Sequence, residues 1–198
     1  MTASSPQLGR PVGASGEVTR ERITAAAMRC VAEVGYAKAT IRAIARTAEM
    51  TSGSLYHYFS NKSDLLDATV TRIEEIAVPR LRAAAGSRTD VIERLEAVLD
   101  ASGELMREYP HLAAFEQEMR MAGSALPLHS IFREVIGDAQ RHGALSRDVD
   151  VQGAADALYA LSRGLTAQAA SLSPDTFHAT TEAAKRLIRG ILLPAHGE

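Results

Sequence analysis

The densest run of side chains able to do chemistry in this 198-residue sequence is Thr51-Ser52-Gly53-Ser54-Leu55-Tyr56-His57-Tyr58-Phe59, with Lys62 just beyond it. Hydroxyls, phenols, an imidazole and an ammonium are groups that bind by hydrogen bonds and charge. If the run is helical, Ser52, Gly53 and Ser54 form a first turn of small residues, and the free amides and positive dipole end there favour phosphate. Small residues let a backbone approach a nucleic-acid groove, while Tyr56 and His57 reach phosphates or base edges. Leu55 and Phe59, four apart, form the face that holds the helix to its neighbours, and Tyr58 reads as packing. Lys62 suits a phosphate clamp. Upstream, Thr40 can cap a helix and bind a phosphate, and Arg42 can reach the backbone or a base edge. Arg42 and Arg46 read equally well as a solvated helix face.

The elements that position this run follow from periodicity. Ile23, Ala27, Cys30, Val31 and Val34 mark one apolar helix face from Glu17 onward, and Gly35 supplies a left-handed stop. Thr40 caps a short helix facing inward through Ile41, Ile44, Ala45 and Ala48. A brief turn at Glu49-Met50 follows, Thr51 caps a second short helix, and Asn61-Lys62-Ser63 opens the next. Two short helices across a tight turn, with a third before them, is the helix-turn-helix plan. Further helices are expected over 63–85, 88–108, 110–122, 127–143, 151–172 and 174–193, separated by Gly and Pro breakers. The fold class is therefore all-α with about nine helices. The expected divisions are a disordered tail over 1–16, a helix-turn-helix domain over 17–62 and a larger helical domain over 63–198.

Composition supports this and excludes other classes. Residues 1–62 hold eight Lys/Arg against four Asp/Glu, net +4, whereas the remainder holds fourteen against twenty, net −6. A polyanion would bind the front of the molecule. Arg10 offers a minor-groove arm, but an inert tail is the preferred reading. The single cysteine, Cys30, is expected as a small buried residue. No membrane span and no secretory signal pattern is visible, so the chain is read as cytoplasmic, with no membrane partner. There is no Gly-rich phosphate loop, no His-Glu-x-x-His and no Gly-x-Ser-x-Gly, and neither an enzyme nor a cofactor is expected. Asp138 and His142 are four apart but lack a third metal ligand, so no metal is expected.

The stretch from Arg22 to Leu66 resembles the TetR family of transcriptional regulators. The resemblance is carried by Thr40-Ile41-Arg42-Ala43-Ile44-Ala45-Arg46 and by Gly53-Ser54-Leu55-Tyr56-His57-Tyr58-Phe59-Ser60-Asn61-Lys62-Ser63-Asp64-Leu65-Leu66. It implies a sequence-specific regulator, most often a repressor, that binds a palindromic operator in double-stranded DNA as a homodimer and is released by a small-molecule effector. In the family, positions matching Thr40, Arg42, Ser52, Gly53, Ser54, Tyr56, His57 and Lys62 touch DNA. One departure is Glu49, where family members carry Gly. A non-Gly residue held left-handed there is strained by about 1 kcal/mol, or the turn differs.

The resemblance also implies a dimer built from the last two helices and an effector pocket among the middle ones. Leu158, Leu161, Leu165 and Leu172, then Leu187, Ile188 and Ile191, are the candidate interface, with Gly164 allowing close helix approach. The same stripes equally fit the subunit's own core, and a shared role is favoured. Candidate pocket residues are Met106, Phe115, Met119, Phe132, Tyr159 and Arg163, each of which also reads as plain core. Arg163 interrupts an apolar stretch, so it needs a carboxylate-bearing effector or an intersubunit salt bridge, the latter slightly preferred. Pro79 favours a kink in the helix joining the two domains.

Overall fold

The computed structural model describes residues 12–124, 129–169 and 171–190. Among them there are nine helices and no strand: α1 Val12–Val34, α2 Ile41–Thr47, α3 Ser52–Tyr56, α4 Lys62–Gly86, α5 Val91–Glu108, α6 Leu112–Met121, α7 His129–Arg141, α8 Val151–Ala169 and α9 Pro174–Ile188. No described helix is long and apolar enough to cross a membrane. The helix starts and stops follow the expected breakers closely. One start differs: α1 begins at Val12, so residues 12–16 of the stretch expected as disordered tail are helical. Residues 1–11, with Arg10, lie outside the described residues.

The chain divides into two compact units that meet between Thr69 and Val70, beyond the division expected after residue 62. The physical reason is visible in the first turns of α4. Leu65, Leu66 and Thr69 are all buried, and Thr69 Oγ1 returns its proton to the Leu65 carbonyl at 2.8 Å. Pro79 sits inside α4 without ending it.

The core of the first unit is Ile23, Ala27, Cys30 and Val31 of α1, Ile44 and Ala45 of α2, and Leu55 and Phe59 around α3. Burial pushes the Cys30 thiol above its ordinary pKa. Gly35, at φ 83, closes α1 in the left-handed region where a glycine carries no Cβ penalty. The caps are those expected. Thr40 Oγ1 accepts from Ala43 N at 3.2 Å, and Thr51 Oγ1 accepts from Ser54 N at 3.1 Å.

The turn between α2 and α3 resolves the question posed by Glu49. Met50 N donates to Ala45 O at 3.0 Å and Glu49 N to Arg46 O at 3.1 Å, with Glu49 at φ 54. This is the paired-bond helix ending that places its next residue left-handed. The same two bonds close α6 through Gly123 and Ser124, and α7 through Gly143 and Ala144. Those two endings use glycine at the left-handed position, with φ 88 and φ 76. Glu49 therefore occupies the strained conformation rather than avoiding it.

In the second unit, α7 packs on α8, α8 on α9 and α6, and α5 on α7, α8 and α9. Ion pairs join these helices at their surfaces. Arg80 of α4 pairs with Glu108 of α5, Arg82 Nη2 with Glu134 of α7 at 2.7 Å, and Lys185 of α9 with Asp100 of α5 at 2.5 Å.

Two substitutions test this account. Glu49→Gly relieves the left-handed strain, partly offset by the looser unfolded chain, for a net gain of about 0.5–1 kcal/mol. Native-state amide exchange at Ile44 and Leu55 should then slow by about 2–5-fold, and unchanged or faster exchange would show that the turn is not strained. Phe59 is 3% exposed, so Phe59→Ala should destabilise the first unit by about 3–5 kcal/mol in the same measurement.

Candidate nucleic-acid interface and ligand cavity

The sequence-derived DNA residues fall on one small unit, from the end of α1 to the start of α4. α3 spans only Ser52–Tyr56, and its anchors are Leu55, fully buried, and Phe59 just after it. Arg20 of α1 lies over the Phe59 ring at 4.6 Å from its centroid, which adds a cation–π contact to that anchor. With this face fixed inward, the opposite one is left to solvent. Gly53, Ser54 and His57 are exposed, Ser52 is half-buried, and Tyr56 is 55% exposed, unusual for an aromatic side chain with no internal need to be there. Thr40 and Arg42 of the α2 start are also exposed. Tyr58 is half-buried, in keeping with packing.

Gly53 carries specific information. A Cβ built there would meet only Thr51 Oγ1 at 3.8 Å, an ordinary contact, and no positive φ requires glycine. Nothing within the chain explains the missing side chain. Ser54 is partly engaged, because its Oγ lies 2.9 Å from Thr51 Oγ1.

Lys62 is placed differently from a free phosphate clamp. Its ammonium donates to the Tyr36 carbonyl and sits over the Tyr36 ring at 4.1 Å. It ties the segment after α1 to the start of α4, while the residue stays half-buried rather than fully enclosed. No spacing rule in the sequence connects residues 36 and 62. Asp138 is equally committed: Arg94 and Arg141 bind its carboxylate and hold it below its ordinary pKa, and His142 Nδ1 faces the Asp138 carbonyl. Among the described residues no cluster of metal ligands is found.

Within the second unit a cavity of about 20 Å³ is enclosed by α4, α5, α6, α7 and α8, room for a water molecule in the described state. Met106, Phe132, Tyr159 and Arg163 line it. Phe115 and Met119, the other two candidates, do not. Both are buried in the packed core, because the apolar stripe of α6 is wider than the part of it that meets the cavity. Glu116, between them in sequence, does line the cavity and is only 5% exposed. It was missed, although a signal existed: Leu112, Glu116 and Met119 share a helix stripe at spacings of four and three, which buries the acid. Burial pushes its carboxyl above the ordinary carboxylate range, against the pull of Arg120 and Arg163.

The candidate dimer residues divide by exposure. Leu158, Leu161, Leu172 and Ile188 are half-buried and Leu187 is 46% exposed. Leu165 is instead 7% exposed and lines a second small cavity beside Phe177 and Thr181, so its side chain serves its own subunit. The shift follows from α9 packing on that side of α8. Ile191 lies outside the described residues. A Cβ built at Gly164 meets nothing within 4 Å, which leaves that part of α8 open.

Comparison with known proteins agrees with this geometry. Residues 23–69 match the family model described as bacterial regulatory proteins, tetR family. The HTH-type transcriptional regulator BetI of Stenotrophomonas maltophilia is 39% identical over 88 residues, 43% of this chain and 44% of that protein, so this match spans less than half of BetI. The HTH-type transcriptional regulator TtgR of Pseudomonas putida is 28% identical over 165 residues, 74% of this chain and 78% of TtgR. Two solved structures share the fold. The fatty acid degradation regulator FadR from Bacillus halodurans has a TM-score of 0.74 at 20% identity, covering 97% of this chain and 100% of its own. A TetR-like transcriptional regulator from Rhodococcus sp. has a TM-score of 0.69 at 19% identity, covering 93% and 98%. These relatives are named as regulators rather than enzymes, and residues 23–69 of this chain carry the domain of the tetR family of bacterial regulatory proteins, that of a DNA-binding transcriptional regulator.

Proposed function

We propose that the protein is a cytoplasmic repressor that binds a palindromic operator as a homodimer and leaves it when a small-molecule effector binds the second unit. The observation that carries the DNA-reading part is Gly53, a side-chain deletion with no internal cause at the exposed end of α3, flanked by Ser54 and followed by Tyr56 and His57. A missing side chain there suits close approach to a groove. Thr40, Arg42, Ser52 and Lys62 supply backbone contacts on either side.

A single five-residue α3 reads few base pairs, and two copies on a palindrome double the contact. Leu187, exposed on α9, with Leu158, Leu161, Leu172 and Ile188 half-buried and Gly164 open on α8, supports the α8–α9 surface as the joining face. Repression is the simplest outcome, because an occupied promoter excludes polymerase. Effector release requires that the ligand favour a conformation that binds DNA poorly. α4 supports this coupling, since its Ile73, Ala77 and Leu81 line the cavity and its first turns belong to the DNA-reading core.

Genomic fragments selected by the purified protein supply the operator for two tests. In mobility-shift titrations, Gly53→Ala and His57→Ala should each weaken binding by about 5–150-fold, the span of one to three kcal/mol per lost contact, while thermal unfolding is unchanged. Wild-type affinity should fall steeply with salt. If the variants bind like wild type, the α3 face is not the reading face. Leu158→Glu with Leu187→Glu should yield a monomer by sedimentation with affinity for the full operator reduced by about 100-fold or more. A dimer that survives both charges would place the joining face elsewhere.

A further inference from the structure

Arg163 stands out in the second unit. Its Nε is buried and has no hydrogen-bond partner among the described residues, and the guanidinium lies 5.6 Å from the Tyr159 ring centroid. A buried donor of a charged group left without an acceptor costs at least about 1–3 kcal/mol, so a fold retains one only where something else uses it. The one carboxylate lining the same cavity, Glu116, forms no ion pair with Arg163 within 4.0 Å among the described residues.

The other groups around Glu116 are few. Arg120 faces it from its own helix, and Arg163 and Tyr159 from α8. The cavity walls from α4, α5 and α7 are apolar apart from Ser102 and offer no titratable side chain. Glu116 is more deeply buried than Arg163, and burial favours its neutral form. A neutral acid beside a guanidinium leaves net positive charge at one end of an apolar space. A second cavity of about 10 Å³ shares Ser102, Met106, Ser162 and Thr166 with the first. Met106, half-buried and unbranched, lines both and is the most adaptable of the four shared side chains.

We propose that Arg163 and Glu116 form the polar end of a site for a small apolar monocarboxylate, whose carboxylate accepts from Arg163 Nε while Glu116 holds a proton, and whose apolar body extends past Met106 between α5 and α8. The assignment rests on the reading of the second unit as the effector-binding unit. Two carboxylates cannot both be ionised beside one guanidinium without repulsion, so ligand binding takes up a proton wherever Glu116 is ionised in the free protein. Affinity therefore falls as pH rises through the pKa of Glu116 in the free protein, which lies above the ordinary 4.5.

The test is calorimetric titration of the full chain, without DNA, with octanoate and 4-phenylbutyrate against octanol and octylamine. At pH 6 at least one carboxylate should bind about tenfold or more tightly than octanol and octylamine, and should weaken from pH 5 to pH 8, with proton uptake growing over the pH range in which affinity falls. Arg163→Met should remove the carboxylate preference, and Glu116→Gln should flatten the pH profile while keeping the preference. Equal binding of octanol or octylamine, or binding of none of the four, overturns the assignment on the wild-type protein alone, whatever the variants' folding. Operator release, read separately by mobility shift, keeps the two readings apart. A carboxylate that binds as described without freeing DNA leaves the site standing and removes effector release. Release by another molecule, with no carboxylate preference, does the reverse.

Discussion

A helix of five residues has no stability of its own. Isolated helices shorter than about 12–15 residues are marginal in water even with favourable sequences, and α3 runs only from Ser52 to Tyr56. Its position is therefore set by what it buries. Leu55 and Phe59 each contribute roughly 1.5–3 kcal/mol by leaving water, and Arg20 covers the Phe59 ring. The Thr51 cap adds about 1 kcal/mol and fixes where the helix begins. The direction in which Gly53, Ser54, Tyr56 and His57 point is thus inherited from the core behind them, and a loss in that core reaches the proposed DNA-reading face before any proposed contact residue changes.

The second unit is built on a different balance. Its ion pairs, Arg80 with Glu108 and Arg82 with Glu134, are roughly half exposed, where such pairs contribute about 0–1 kcal/mol each. They fix the register of α4 against α5 and α7 more than the depth of the fold. Cohesion comes from Leu81, Val98, Phe115, Ile131 and Val135. Against that apolar interior Glu116 and the Nε of Arg163 are a local cost, since both are withdrawn from water without joining each other. A charge pair kept for stability alone would be in contact.

The first unit was legible in the sequence because its determinants are local. Caps at Thr40 and Thr51, the stop at Gly35 and the four-residue spacing of Leu55 and Phe59 each act within one or two turns. Glu49 could be identified as either strained or rerouted, and only the two backbone bonds to Ala45 and Arg46 decide for strain. The cavity was half legible. A helical period places Phe115, Glu116 and Met119 on the buried side of α6, but which of them meets a neighbour and which meets a space depends on α4, α5, α7 and α8. For the same reason Leu165 could not be assigned to its own core until α9 was seen against α8. The structural tie of Lys62 is invisible in the sequence, because its partner, the Tyr36 carbonyl, is a backbone atom 26 residues away.

The size of the cavity limits how a ligand can act on DNA binding. A space of about 20 Å³ is far below the roughly 300–1,000 Å³ that small-molecule sites occupy, so the described state is a closed one. Any ligand must bind a state in which Met106 and its neighbours have moved, and it shifts the equilibrium only by its preference for that state. A closed interior is costly to open, because the displaced side chains lose their packing before the ligand replaces it. The compensation must come from groups that gain more in the open, occupied state than they lose, and a buried guanidinium Nε with no acceptor among the described residues is such a group. Its unmet hydrogen bond raises the energy of the closed state and is satisfied only when an acceptor arrives. Coupling between two sites is typically 1–3 kcal/mol, which is also the cost of one unsatisfied buried donor. Arg163 alone is thus of the right magnitude to bias α4, whose Ile73, Ala77 and Leu81 form the cavity wall, between two packings.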